Sequence, residues 1–513
     1  MSLEEFLNNL QFDIERANQP NWEPDWDDAP LPYKLYRGLP VVPLSSEVPL
    51  TLEENEHPVK PDLERIGHFL WYVFGISQVS QQVFPDEEAD PYQSFRRFAP
   101  SGGALYPNEL YMYLKIDGLK DGIYHYNPAH HRLVLLREGN FDSYISRALG
   151  DRCDVATCFG TAFVSTRFWK NFFKYNNFSY RLQGLDAGVM VGQMLETSKR
   201  FGYATGVYHQ FLDSAVNHLL GMDEEESVYS VIPLTVEPTN WVSSRQEENL
   251  TSDELKREIQ PIYSQKFERS KRVLEFPRLI EANQAAKLES VFSFQRCRDE
   301  LDIEFKEAQF KLPEIEPASY DLVKASENRF SPEMDFIMGK VSQQQLAAIL
   351  QDTMSSLFYR NDVNQHAPVS IYACLYNVEG IPNGAYYYDH AEHALREIRK
   401  GDQRLVLQSG LSMDNVNMMQ VPICVHLVGN SDFYKKELGY RGYRILQVEA
   451  GILLQRMLLA ASNVGLGSHP LLGFNANLAD EIYGLKEKGK TSLIQVPIGP
   501  YRPRAWLKGS LRS

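Results

Sequence analysis

The sequence predicts an α+β protein in which one fold is used twice in tandem, the two copies closing on each other as an intrachain pseudo-dimer. Three observations predict it. Tyr180-Arg181-Leu-Gln-Gly-Leu-Asp186-Ala-Gly188 returns 263 positions later as Tyr443-Arg444-Ile-Leu-Gln-Val-Glu449-Ala-Gly451. At the same spacing Gly202 meets Gly465 and Gly221 meets Gly484; one position off, Gly122-Ile-Tyr124-His-Tyr126 meets Gly384-Ala-Tyr386-Tyr-Tyr388. Both copies interleave strand-like alternation with helical periodicity. Two copies are too few for a solenoid, and two like units in tandem imitate a twofold homodimer.

Composition narrows the function classes. A chain of 513 residues exceeds what one core usually supports. A net charge of −15 argues against nucleic acid or an anionic membrane surface as the partner, and leaves any local arginine cluster in need of a purpose. The five cysteines are odd in number and show no CxxC spacing, so neither a disulfide framework nor a metal site is expected. No uninterrupted apolar run reaches about 18 residues, and the first residues lack the basic and apolar regions of a signal peptide. A cytoplasmic protein is expected.

Taken in order, residues 1–60 are rich in Pro, Trp and acid groups (Trp22-Glu-Pro-Asp-Trp26, then Pro32-Tyr-Lys-Leu-Tyr36) and read as an extended arm. The first copy spans 61–242. It opens with a helix carrying Leu63, Ile66, Leu70 and Val73 on one face, followed by strands at Leu110–Leu114, Gly122–Tyr126, Leu133–Leu136 and Ala162–Ser165. A helix from about Leu182 to Arg200 then ends at Gly202. Residues 243–324 are charged (Arg245-Gln-Glu-Glu, Lys266 to Arg272) and read as a helical connector whose basic run is a solvated helix face. The second copy spans 325–513.

The stretch from Phe95 to Leu114 most needs explaining. Arg96 and Arg97 lead into Pro100-Ser101-Gly102-Gly103, a turn with two glycines that admit positive φ and close approach of a ligand to the backbone. Arginine, hydroxyl and bare amides suit a polyanionic or heteroaromatic ligand. An ordinary glycine turn before a strand accounts for the same residues.

With both copies in view, the chain resembles the nitroreductase-like flavoproteins, and within them the SagB-type dehydrogenases, FMN-dependent azoline oxidases. The residues that carry this are Arg96-Arg97 through Pro107 with Glu109-Leu110-Tyr111, Gly122 to Asn127, Lys174-Tyr175, and Tyr180-Arg181 with Asp186-Ala-Gly188. The resemblance covers 30–237 well, 325–505 more loosely, and the connector not at all. It implies FMN at the interface of the copies. Arg329 and Ser331 resemble the phosphate-binding entry, although the arginine that usually follows is absent. Gly465-Leu466-Gly467-Ser468 resembles the loop facing the flavin N5 edge, with His469 beside it as a candidate substrate contact. Arg502 and Arg504 stand where the family places basic residues for the phosphate.

Only the first copy has the Ser-Gly-Gly turn; the second has Asn364-Gln-His366-Ala-Pro368. The resemblance therefore implies one complete site per chain, with phosphate and N5 contacts from the second copy and the first copy's turn closing over the ring. FMN at both sites, on substituted residues, is the alternative. A Lys-Tyr pair tied to azoline oxidation in that family reads Lys174-Tyr175 here, and Glu437-Leu438 in the second copy. A lysine can act as base when burial lowers its pKa, and a tyrosine can orient or relay; a surface lysine beside a core tyrosine would read the same.

The expected function is dehydrogenation of peptidyl thiazoline or oxazoline to thiazole or oxazole, with dioxygen reoxidising the flavin. Residues 1–60 show no winged-helix leader-binding segment. That leans toward a substrate on a nonribosomal peptide synthetase carrier or cyclisation module, as for stand-alone thiazoline oxidases of the bacillamide kind, over one delivered by a ribosomal peptide cyclodehydratase. An NAD(P)H-dependent nitro- or quinone reductase and a flavin-less scaffold are the alternatives, and pairing of two chains as a homodimer stays open.

Overall fold

The computed structural model describes residues 1–53, 59–82, 92–237, 249–297, 309–316, 320–355, 359–363, 368–504 and 507–509. Two long helices, Ser179–Arg200 and Tyr440–Asn463, set the architecture. Both are buried on nearly every side, as core helices are. They run parallel with equivalent residues facing: the Tyr180 and Tyr443 rings stack with centroids 6.0 Å apart, and a Cβ on Gly192 would fall 3.0 Å from that of Gln455. Glycines let the backbones touch. A Cβ on Gly188 would fall 2.0 Å from the Val448 carbonyl oxygen, and one on Gly451 would fall 2.2 Å from that of Leu185. The pseudo-twofold axis runs between the helices, and the repeat spacing is the register of this contact. By length and composition Tyr440–Asn463 could cross a membrane, yet it lies almost wholly inside the protein. No apolar run of about 18 residues crosses it, because Arg444, Gln447, Glu449, Gln455 and Arg456 interrupt it.

Each copy contributes a largely antiparallel sheet. The first orders its strands as Arg360–Asn361, Ala204–Val207, Glu226–Thr235, Gly160–Arg167, Asn108–Leu114, Gly122–Asn127, Arg132–Glu138 and Val41–Pro43. The second runs Phe310–Lys311, Ala394–Lys400, Gly384–Asp389, Ser370–Leu375, Ile423–Asn430, Lys490–Gly499 and Gly467–Ser468. The central strands are buried on both faces, which explains their near-continuous apolar runs.

The copies also trade edges. Arg360–Asn361, from the second, pairs in parallel with Ala204–Val207 of the first. Leu507–Gly509, from the carboxyl-terminal end, extends the hairpin of Ile76–Gln82 and Tyr92–Arg97. Two- and three-residue edge strands carry no periodicity that a sequence reading can detect.

Two expectations need correction. The arm is not extended throughout. Leu3–Phe12 is a helix capped by the Ser2 hydroxyl, with Phe6, Leu7 and Leu10 buried at helical spacing; from Asn18 onward the arm crosses the helix Phe168–Tyr175. The connector is not predominantly helical either. Among its described residues the α-helices are the short Ser252–Lys256 and Pro277–Ala285 and the first turns of Leu322–Asn328. Gln265–Phe267 instead pairs as a strand with Leu35–Arg37, so the run from Lys266 to Arg272 is strand and coil. Mixed charges at close spacing imitated a helix face without the apolar stripe to seat one. The stretch 245–248 and the segment 364–367 lie outside the described residues.

Candidate functional site

The Ser-Gly-Gly turn is held from below by a carboxylate. Asp186, on the first long helix, accepts from the Ser101 hydroxyl at 2.6 Å and from the Gly102 amide at 3.1 Å. Ser101 Oγ in turn accepts from the Tyr106 amide at 3.0 Å. Burial pushes the Asp186 carboxyl up to about 6, against the hydrogen bonds from Ser101 and Gly102. Gly103 sits at φ +64°, which disfavours any side chain, and a Cβ on Gly102 would press the end of the Leu182 side chain at 2.3 Å. The far end of the turn is fixed as well: Lys170 donates to the Tyr106 carbonyl at 3.2 Å, and the Tyr106 hydroxyl accepts from the Arg97 amide at 3.1 Å.

Lys174 and Tyr175, at the end of the helix Phe168–Tyr175, stand directly against this turn. A Cβ on Gly103 would lie 2.4 Å from the Tyr175 hydroxyl and 3.0 Å from Lys174 Nζ. That ammonium lies 5.0 Å from the Tyr175 ring centroid and 5.6 Å from that of Trp26. Among the described residues no carboxylate pairs with it. Burial lowers its pKa, while burial and then the Asp186 charge raise that of Tyr175. The arm supplies Trp26, which packs edge-on against Phe173 at 5.4 Å and remains 54% exposed. Trp22 anchors the same segment through Nε1 to the Phe173 carbonyl at 3.2 Å.

The two arginines before the turn diverge. Arg97 points into the first copy, its guanidinium 4.0 Å from the Phe74 ring centroid and 4.5 Å from that of Tyr106, and donates to the Pro32 carbonyl. Arg96 crosses to the second copy. It donates to the Glu327 and Ser326 carbonyls at 3.0 and 2.9 Å, and to that of Arg329, capping the end of the helix Leu322–Asn328 as a cation should.

Arg329 is buried at that junction, and its Nε has no hydrogen-bond partner. Among the described residues no carboxylate faces it. Burial first, and the neighbouring Arg96 second, draw its guanidinium down to about 9. A buried guanidinium and a partly buried one, side by side without a counter-ion, form a cradle for an oxyanion. Ser331 follows two residues on, partly buried.

The remaining second-copy residues gather around the segment 330–335. Ser468 donates its amide to the Phe330 carbonyl at 3.1 Å, and Phe330 stacks on Tyr501 at 4.9 Å. Gly467 is pressed against both segments of this junction: a Cβ would fall 2.4 Å from Pro332 and 2.8 Å from Tyr501. Gly465, at φ +77°, ends the second long helix, and Leu466 continues that cap by donating to the Ala461 carbonyl at 2.9 Å. His469 keeps a buried Nδ1 without a partner, and burial lowers its pKa. Arg504 is paired with Glu333 at 2.9 Å and with Asp335; Arg502 is exposed and joins Asp335 only through its backbone amide, at 2.9 Å.

The structure thus brings Ser101, Gly102, Gly103, Lys174 and Tyr175 together, while Arg96, on the strand before the turn, reaches Arg329. It turns Arg97 inward and leaves Arg504 already neutralised. Sequence reasoning missed roles for Asp186 and Trp26. Asp186 was visible in the repeated motif, where its partner is Glu449, one methylene longer.

At the position equivalent to Asp186 the contacts differ. Glu449 accepts from His209 at 3.0 Å. The Asp362 carboxylate accepts from the His209 and Gln210 amides at 2.9 and 3.0 Å and pairs with Arg152 at 2.9 Å. Every one of these groups except Arg152 is buried.

The Nitroreductase family pattern matches residues 58–234 and 335–499, together well over half the chain. The chain belongs to the Nitroreductase family. A crystal structure from Anabaena variabilis ATCC 29413, of a protein assigned to the nitroreductases, superposes over 98% of this chain and 100% of its own with a TM-score of 0.76 at 20% identity. That likeness speaks for the fold alone. The trifolitoxin-processing protein TfxB of Rhizobium leguminosarum bv. trifolii is 31% identical over 140 residues, 26% of this chain and 37% of the relative. The microcin B17-processing protein McbC of Escherichia coli is 28% identical over 150 residues, 28% of this chain and 54% of the relative. The matched stretches thus span a little over a third and about half of these two relatives.

Proposed function

We propose that this nitroreductase-family protein is an FMN-dependent oxidase that dehydrogenates thiazoline or oxazoline rings in a peptide to thiazole or oxazole. The observation that carries the reading is the cluster of Lys174, Tyr175 and Gly103, on the turn whose preceding strand Arg96 ties to Arg329. The orphaned Arg329 Nε beside Arg96 fits a flavin phosphate. Arg96 and Arg329 would hold it, with Ser331 adjoining, while Gly465, Leu466, Gly467 and Ser468 stand across the same junction. When bound, FMN supplies the acceptor for the hydride equivalent leaving the ring, with dioxygen as terminal oxidant.

This chain's own residues do the rest. Lys174 Nζ, partly desolvated and free of a carboxylate among the described residues, takes the proton from the ring carbon next to the carbonyl. Tyr175, kept protonated by burial and by Asp186, donates its hydrogen bond to the substrate. The arm and the turn exclude water. Relatives named for processing trifolitoxin and microcin B17 support a peptide product pathway. The partner is then a nonribosomal carrier or cyclisation module, or a ribosomal peptide cyclodehydratase. The divergence of the two copies, with Asp186 on the Ser101–Gly102 turn and Glu449 on His209, supports one FMN per chain.

Purified protein tests this directly. Flavin absorbance at one equivalent per chain, and oxygen-dependent conversion of a peptidyl thiazoline thioester that is lost in Lys174→Ala, are expected. A colourless protein that takes up no FMN would leave the scaffold reading. Rapid reduction by NAD(P)H with no azoline turnover would leave the nitro- or quinone reductase.

A further inference from the structure

We propose that Asp186 is a positioning residue for the Lys174–Tyr175 pair: its carboxylate clamps the Ser101–Gly102 turn so that Gly103 seats against the Tyr175 hydroxyl and Lys174 Nζ. The chemical role of the pair rests on the reading above; the clamp itself rests on geometry.

The connection is short and continuous. Both Asp186 oxygens are used, one by the Ser101 hydroxyl at 2.6 Å and one by the Gly102 amide at 3.1 Å. The next residue, Gly103, is left no room for a side chain by Tyr175 and Lys174. Ser101 passes the constraint onward by accepting from the Tyr106 amide, and Lys170 fixes the Tyr106 carbonyl from the same helix that bears Lys174. The turn is therefore pinned at both ends between two helices, with Gly103 as the contact point. Release of the Asp186 end frees Gly103 to lift and admits water to Lys174.

The groups facing Asp186 are Ser101, the Gly102 amide, Asn171 and Tyr175; those facing Lys174 are Gly103, Tyr175 and Trp26. None of them supplies a charge that could replace the clamp. A buried carboxylate is costly where an amide would serve as an isostere, so its retention in this place calls for a task. Two backbone-linked donors converging on one carboxylate supply it.

The test uses the full chain with its bound cofactor and the variants Asp186→Ala, Asp186→Asn and Asp186→Glu. Amide hydrogen exchange is read over residues 99–107, and the pH dependence of Lys174 acylation by an amine reagent is read by mass spectrometry. Neither readout needs the azoline. In Asp186→Ala, exchange of the Gly102 and Tyr106 amides is expected to rise at least tenfold, with the rest of the first copy unchanged. The apparent pKa of Lys174 should move up toward that of a solvated lysine. Asp186→Asn, which keeps an acceptor for Gly102, should restore most of the protection. Azoline turnover should fall at least tenfold in kcat in Asp186→Ala, with a smaller change in KM. Unchanged exchange and an unchanged Lys174 profile in Asp186→Ala would overturn the proposal. If the wild-type chain fails to turn over any azoline, the functional reading falls, and the exchange and labelling results still decide the clamp.

Discussion

Arg329→Met is the sharpest probe of the cofactor cradle, because it should move two properties in opposite directions. Burial, with Arg96 adding to it, draws the Arg329 guanidinium from its ordinary range down to about 9. That displacement corresponds to roughly 5 kcal/mol by which the folded protein disfavours the charged form. The sign follows from linkage: the cost is present in full below pH 9 and fades only as the unfolded-state value is approached, so it stands at neutral pH. Methionine fills similar volume without the charge, and replacing a buried, unpaired ion by an apolar side chain gains about 1–4 kcal/mol. The apo variant should therefore melt several degrees higher than apo wild type. Removing one partner of a buried charge pair with the phosphate costs about 2–5 kcal/mol of binding, which is a 30-fold to several-thousandfold rise in the FMN Kd. Titration of apo-protein by flavin fluorescence quenching, with melting curves with and without FMN, reads both. An FMN Kd within threefold of wild type, or a lower apo Tm, would refute the reasoning.

Other outcomes follow from the same geometry. Lys174→Ala and Tyr175→Phe should retain FMN, judged by absorbance per chain, while kcat for a thiazoline thioester falls at least 100-fold for the first and tenfold for the second. Gly103→Ala places a methyl 2.4 Å from the Tyr175 hydroxyl at φ +64°; stability should drop by about 1–3 kcal/mol in urea melts, with turnover reduced more than flavin binding. The raised Asp186 pKa means that stability is lost as pH rises from the unfolded-state value to about 6, and the cost of the buried charge then stands in full at higher pH. Asp186→Asn should therefore gain Tm relative to wild type from pH 5 to pH 8, and an advantage that shrinks over that range would contradict it. Trp26→Ala removes the exposed ring beside Lys174; KM for a peptidyl azoline should rise several-fold while the flavin content holds, as steady-state assays would show.

Much of the fold was legible because repetition survives where backbones touch. Gly188 and Gly451 cannot accept a side chain, and Tyr180 stacks on Tyr443, so the motif that announced the duplication is the motif of the helix contact. The site was only partly legible. Ser101, Gly102 and Gly103 stood out by composition, and Lys174-Tyr175 by resemblance. The crossing of Arg96 to three carbonyls of the second copy left no trace in the sequence, because a main-chain acceptor has no letter. Asp186 was read as a helix residue of the repeat, since nothing local links it to a turn 85 positions earlier. Arg97 looked equivalent to its neighbour, although strand alternation sends adjacent side chains to opposite faces.

The contact between Gly188 and Gly451 also bears on inheritance. In an assembly of two identical chains, any change at the axis arrives in duplicate, so a side chain gained there meets its own copy across the interface. In this chain each position beside the axis is encoded separately, and a change on one face can be tested while the opposite face stays as it was. Asp186 facing a turn and Glu449 facing His209 are a pair of once-equivalent positions that have parted in this way. A covalent join at the level of the gene thus permits a division of labour that symmetry would forbid.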